Sequence, residues 1–369
     1  MKNKIFISVF IAVIIFFSWH CSSEDKPFAV FYGLTQHASS SQDQTNEEEI
    51  PGMAIISGKV LDGADDSYLS NVLITVTGQS TENAGNTYVT NTLTDGTYAV
   101  NVPTVKGGYQ FTLTASYTNY NNQVYDYTVT LTNDEIKSNI EFTMYRKLVF
   151  ISSNSYSAED MEPGDITVSG NYGWFLQCDA DKLASFYIFS SGGISGISTV
   201  NPPAGTTFNY GNSGNSAGIT MTNGQNSVWI TRNVDNQIID RLSTSTGIYL
   251  DSISREDFSC FGMHYSTNTG TFWLTGYDNR LREVSPGGVT LTNVYLGDSP
   301  VGITEKNGYL YIVKQDTDLI VKVDMTTCRV IARGAAPGQD CIGIAWDGDC
   351  FWMTDNGNDS IREVYLTAE

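Results

Sequence analysis

The sequence predicts an all-β protein: a small antiparallel β-sandwich followed by a β-propeller of about five blades, with six as the alternative. Three observations carry that prediction. The 34 glycines and 21 tyrosines, with many Thr, Asn and Ser, suit short strands joined by turns. Short segments between residues 53 and 146 alternate apolar and polar side chains at period two. From residue 147 to 369 a unit of about 40 residues recurs, and each copy carries an aromatic residue in its second strand.

The chain opens with basic Met1-Lys2-Asn3-Lys4 and an apolar run from Ile5 to Phe17. That is the length of a signal h-region and short for a membrane span. Ser18-Trp19-His20-Cys21 follows, then polar Ser22 to Lys26. A lone Cys directly after an h-region resembles the bacterial lipoprotein signal, with Trp19 and His20 standing where that family has small residues. The resemblance implies removal of residues 1–20, lipidation of Cys21 and attachment to a membrane. Ser22 in place of Asp implies the outer membrane, with a position on the cell surface or the periplasmic face. Residues 21–52 read as a disordered tether, because Ala38 to Glu49 is polar and acidic with nothing to bury. A coil of about 30 residues reaches roughly 30 Å.

In the 53–146 segment, strands are expected at Ile55–Asp62, Val72–Thr77, Tyr88–Val102 around an Asp95-Gly96 turn, Tyr109–Tyr117, Tyr125–Leu131 and Ile140–Met144. Gly58-Lys-Val60, Leu69-Ser-Asn-Val72-Leu-Ile74 and the Thr94-Asp95-Gly96-Thr-Tyr98 stretch resemble the carboxypeptidase regulatory-like (transthyretin-like) domain. In that family the module is an accessory. A zinc peptidase itself would need a His-x-x-Glu pair, and none of His20, His37 and His264 has Glu three residues later.

The repeat markers in 147–369 are Trp174, Trp229, Trp273, Tyr311 and Trp352, spaced 55, 44, 38 and 41 residues apart. Gly218, Gly262, Gly302 and Gly343 precede the first strand in the last four copies, and alternating third strands end at Leu242, Val284, Val323 and Val364. A four-stranded sheet cannot cover both its faces, so copies stacked around an axis bury one another, with the aromatics as wedges. The last copy lacks a fourth strand after Tyr365, and Leu148–Ser152 is expected to supply it. Copies such as Gly343-Ile-Ala-Trp-Asp-Gly resemble the broad NHL/YVTN and glutaminyl-cyclase-like propeller superfamily, whose motifs are structural.

Function is written less plainly. Asp and Glu total 40 against 20 Lys and Arg, a net charge of −20. That excludes nucleic acid and electrostatic docking on anionic lipid. Gly214-Asn-Ser216-Ala-Gly218 matches a hydrolase elbow only in letters, since it sits in a connector rather than a strand-to-helix turn. His264 falls on an inner strand that can face the central funnel, and Glu305 is a second acid/base candidate in that funnel. Both are weak catalytic candidates and no cofactor is expected. Asp179, Asp278, Asp316, Asp355 and Asp359 lie in the turns between second and third strands, with Asn233 near the matching place. If they shared one rim they could hold Ca²⁺ through oxygen ligands, although Asp and Asn also cap turns. Cys178, Cys260, Cys328, Cys341 and Cys350 allow up to two disulfides, with one pair among the last three. The reading is an outer-membrane or surface lipoprotein acting as a non-catalytic platform for an extracellular protein or glycan. The alternative is a periplasmic propeller enzyme: a lyase, lactonase or glutaminyl-cyclase-like transferase.

Overall fold

The structure, a computed structural model, describes residues 52–125, 128–158, 162–177, 182–190, 193–200, 218–222, 226–232, 238–244, 248–255 and 258–369. Cys21, Cys178, Asp179 and Asn233 lie outside them. Among the described residues no helix is long and apolar enough to cross a membrane.

The first strands are β1 (Gly52–Asp62), β2 (Leu73–Gly78), β3 (Thr87–Asn91), β4 (Thr97–Thr104) and β5 (Tyr109–Ser116). Short β6 (Gln123–Val124) and β7 (Val129–Leu131) follow, then β8 (Ile136–Met144). They form two sheets, β4-β1-β8 and β3-β2-β5-β6, with β7 also on β5. The period-two pattern does what it predicts: Phe111, Leu113 and Ala115 of β5 point inward, fully buried against Ile56, Val60 and Ile140. Two details differ from expectation. The turn at Asp95-Gly96 does not close a hairpin, because β3 and β4 belong to different sheets. Buried Thr92 makes that corner, accepting from Val72 N at 2.9 Å and donating to Leu69 O at 2.6 Å. In addition, β8 runs parallel to β1, while the other pairs are antiparallel.

The chain then crosses to the second array through β9 (Arg146–Lys147) and β10 (Val149–Ser157). Blade 1 contains β11 (Pro163–Ser169), β12 (Tyr172–Gln177), β13 (Lys182–Ile188) and β14 (Ile194–Val200). Blade 2 contains β15 (Ile219–Met221), β16 (Ser227–Arg232), β17 (Ile238–Ser243) and β18 (Tyr249–Ser254). Blade 3 contains β19 (Cys260–Ser266), β20 (Thr271–Gly276), β21 (Arg280–Val284) and β22 (Thr290–Tyr295). Blade 4 contains β23 (Pro300–Lys306), β24 (Tyr309–Lys314), β25 (Leu319–Asp324) and β26 (Val330–Ala335). Blade 5 contains β27 (Cys341–Trp346), β28 (Phe351–Asp355) and β29 (Ser360–Ala368).

The fourth strand of blade 5 is β10, antiparallel to β29 with Ile151 opposite Tyr365 and Tyr156 opposite Ile361. The two ends of the propeller segment are thereby joined in one sheet, as the missing strand predicts. The wedges also behave as expected. Three pack the ring on a phenylalanine of the next blade: Trp229 on Phe272 at 5.4 Å, Tyr311 on Phe351 at 4.9 Å, Trp352 on Phe186 at 6.0 Å; Trp174 and Trp273 are buried among aliphatic side chains of the next blade instead. Such pairs contribute roughly 0.5–1.5 kcal/mol beyond the area they bury.

The first two sheets are fastened to blade 4. β9 pairs parallel with outer strand β26, Asn121 donates to Arg333 O at 2.9 Å, and the Arg333 guanidinium lies over the Tyr145 ring at 3.6 Å.

Candidate functional site

Every inner strand runs the same way, so the disc has two distinct faces. The turns from first to second strand define a lower face, and those from second to third strand an upper face.

Near the upper end, adjacent inner strands approach too closely for side chains. A Cβ on Gly262 would meet Val301 O at 2.2 Å, and one on Gly302 would meet Ile342 O at 2.4 Å. On Gly218 it would meet the Gly262 carbonyl carbon at 2.7 Å, and on Gly343 the Gly164 O at 2.8 Å. These are the repeat glycines, placed inside or at the start of the strands. Threonines of the second strands clasp them. Thr231 accepts from Gly218 N at 2.7 Å. Thr275 accepts from Gly262 N at 2.9 Å and donates to Val301 O of blade 4. Thr354 accepts from Gly343 N at 2.7 Å and donates to Gly164 O of blade 1. Blade 4 has buried Val313 at this rung.

Blade 1 breaks the glycine rule. Ile166 pairs opposite Phe175 as Ile303 pairs opposite Ile312, which puts Asp165 where the other blades have glycine. Its carboxylate crosses the axis: Oδ2 accepts from Ile219 N of blade 2 at 3.0 Å and from Met263 N of blade 3 at 3.2 Å. The residue is fully buried, and Oδ1 has no partner among the described residues. Burial lifts its pKa well above the carboxylate range, outweighing the amides of Ile219, Ile166 and Met263. Asp165 was not among the sequence candidates. The available signal was the one copy that lacks the glycine.

One rung lower, the residues opposite the wedges are Thr167, Thr220, His264, Thr304 and Ala345. They line an axial cavity of about 50 Å³ together with Ile166, Ile303 and Trp346. His264 is its one titratable side chain among the described residues. Its Nε2 lies 3.8 Å from Glu305 Oε2 on the next blade, which also accepts from Asn268. Burial pushes the Glu305 pKa up, but His264, Ser266 and Asn268 hold it below the usual value. The two sequence candidates therefore do meet, as a pair at the lower mouth.

The rim acids sit on the opposite face and are not equivalent to one another. Asp355 ends β28 opposite Ser360, and its counterpart in blade 4 is Lys314, opposite Leu319. Asp278 and Asp316 stand two residues further on, in the turns. Asp355 is fully buried; Oδ2 accepts from Arg362 Nε at 2.8 Å and Nη2 at 2.6 Å, and from Asn358 at 2.9 Å. Burial raises its pKa, but Asn358 and Arg362 overcome that and hold it below the ordinary range. Asp278 is paired with Arg282 at 2.9 Å and its pKa is likewise lowered, first by that hydrogen bond. Asp316 is exposed and accepts from Ser299 Oγ. Asp359 caps a short 3-10 turn in the left-handed region, φ 42°. Lys314 is buried, and burial lowers its pKa to about 8 while its ammonium donates to Leu296 O at 2.7 Å. Among the described residues no three His, Cys, Asp or Glu side chains are grouped to hold a metal ion.

The expected disulfide among Cys328, Cys341 and Cys350 is not formed; these three and Cys260 are buried thiols outside any disulfide. Cys341 and Cys350 lie at opposite ends of the β27–β28 hairpin, roughly 15 Å of strand apart and far beyond bridging distance.

No protein-family model matches the chain, and no curated protein matches it. Among solved structures it is similar to the glutaminyl cyclase of Myxococcus xanthus, at 12% identity over 60% of this chain and 97% of that one, TM-score 0.46. It is also similar to virginiamycin B lyase from Staphylococcus aureus, at 16% identity over 85% and 99%, TM-score 0.35. A third is the WD40 β-propeller domain of Doa1, at 8% identity over 58% and 97%, TM-score 0.38. The propeller assignment stands on the strand pairing of this chain itself.

Proposed function

We propose that this chain is an outer-membrane or surface lipoprotein that holds its propeller out as a non-catalytic platform for a protein or glycan. The observation that carries the reading is the closed axis. Asp165 spans the upper end of the axis, and the cavity below it is about 50 Å³, far under the roughly 300–1,000 Å³ of small-ligand clefts. Asp355, the fully buried rim acid, is neutralised by a guanidinium of its own blade, which suits rigid architecture better than turnover. In this reading Cys21 carries the lipid, 21–52 is the tether, 53–146 is a spacer like the accessory modules it resembles, and 147–369 is the platform.

Metabolic labelling with an alkyne palmitate analogue tests the anchor. Wild type takes the label, and Cys21→Ala loses it and leaves the membrane fraction; a labelled Cys21→Ala protein would sink the assignment. Protease shaving of intact cells then separates the cell surface from the periplasmic face. A binding screen against extracellular proteins and glycans tests the platform, which fails if the chain instead turns over a lactone or peptide substrate. The second reading, a propeller enzyme, has the His264–Glu305 pair in its favour. It requires turnover that His264→Ala abolishes.

A further inference from the structure

Among the described residues, a wide cleft opens on the lower face at the seam between blades 5 and 1. We infer that it is a saccharide site for a neutral pyranose-containing glycan. The inference rests on the platform reading and names the ligand class for it.

The opening is not a by-product of the fold, as the neighbouring seam shows. In both blades a charged third-strand residue stands opposite the wedge: Lys322 faces Tyr311, and Glu363 faces Trp352. At the seam between blades 4 and 5, Lys322 pairs with Glu369, Glu369 accepts from the Tyr311 hydroxyl at 2.7 Å, and Lys306 covers the Trp346 ring at 4.3 Å. At the seam between blades 5 and 1 there is instead a cleft of about 550 Å³. That is within the range of small-ligand sites.

Its walls are preorganised. Glu363 is 3% exposed and held from two sides, by Asn154 Nδ2 at 2.5 Å and the Tyr365 hydroxyl at 2.8 Å. Asp347 is fixed by Trp352 Nε1 at 2.7 Å, and Asn171 donates to the Tyr187 hydroxyl at 3.1 Å. Among the described residues, each carboxylate oxygen of Glu363 keeps a lone pair after those bonds, and the side-chain carbonyls of Asn154 and Asn171 remain as acceptors. The wall is thus rich in acceptors waiting for hydroxyl donors. At the mouth Phe189 is 44% exposed, an apolar ring beside the polar wall. A pyranose matches both halves, offering hydroxyl donors on its edge and a C–H face to the ring. A bare ammonium would use only the acceptors. Among the described residues no Lys or Arg lines the cleft and three carboxylates do, so phosphate, sulfate and uronate ligands are repelled.

The test uses the full chain in detergent, with cellotriose, maltotriose and N-acetylchitotriose as neutral probes, trigalacturonate as the anionic one and putrescine as the amine. Isothermal calorimetry is expected to detect at least one neutral trisaccharide and not trigalacturonate. Phe189→Ala and Asn171→Ala, both at exposed positions, each weaken that binding about tenfold or more. Tyr295→Ala, on the outer strand of blade 3, leaves it unchanged. Binding of none of the neutral sugars, or of putrescine alone, overturns the inference. Sugar binding that neither Phe189→Ala nor Asn171→Ala weakens places the site elsewhere and overturns the inference, while the platform reading stands. Cleavage of a bound sugar overturns the platform reading instead.

Discussion

The axis and the upper rim each bury one aspartate completely, and the two are held in opposite ways. Asp165 is met by main-chain amides of blades 1 to 3 and by no cation, so burial dominates and its pKa is raised well above normal. Asp355 is met by Arg362 and Asn358, which outweigh burial and hold its pKa low. Two solvent-inaccessible carboxylates thus have opposite protonation tendencies: Asp165 lies deeper and is answered only by dipoles, while Asp355 lies nearer the surface and is answered by a full charge. The axis tolerates a carboxyl that can take up a proton, and the rim is built on an ion pair. Among the described residues of the rim, buried Asp355 already has its cation, Arg362.

The largest expected effect comes from breaking the rim pair. Arg362→Leu strands the buried Asp355 carboxylate and should cost about 3–5 kcal/mol in urea unfolding at pH 7. Because the folded Asp355 pKa is depressed, its contribution is present above the unfolded value of about 3.9 and is lost as pH falls through the lower folded value. The gap between parent and variant should therefore close in acid. A pH-independent gap would mean that packing, not charge, holds this corner.

Asp165→Asn should move stability the other way, by roughly 1–3 kcal/mol. A raised folded pKa means the parent loses stability as pH rises from about 3.9 through that value. The variant should be the more stable at pH 8, with the advantage shrinking toward pH 4.5. A variant that is weaker at pH 8 would show that the axis needs the anion.

Thr354→Val removes the clasp between Gly343 N and Gly164 O, and about 1–2 kcal/mol is expected in the same assay. The buried valine at the matching rung of blade 4 makes the exchange sterically sound. The smallest effect belongs to Asp316→Ala, within about 0.5 kcal/mol, because the residue is exposed. A loss above 2 kcal/mol there would revive the rim as a linked acidic site.

Much of the propeller was readable from sequence because its signals are local and repeated. The wedge aromatics, the inner-strand glycines and the unfilled fourth strand of blade 5 all follow from strand period and copy spacing. His264 and Glu305 could each be named as candidates from their place on inner strands, but that the two meet is shown only by the structure. The corner at Thr92 and the parallel β8 could not, because strand alternation says which side chains are buried but not which sheet a strand joins. Nor could the rim: Asp278 and Asp316 are offset from Asp355 by two residues, and only the pairing register reveals it.

What the sequence determined by itself is a ring of repeats and the residues that wedge it. Tertiary structure alone decided which charges are answered. Asp165 reaches amides 54 and 98 positions away, and Asn154 grips Glu363 across 209. Those contacts exist only once the ring has closed through β10, because closure sets residues distant in sequence on neighbouring strands. The same closure leaves the seam between blades 5 and 1 open while its neighbour is filled.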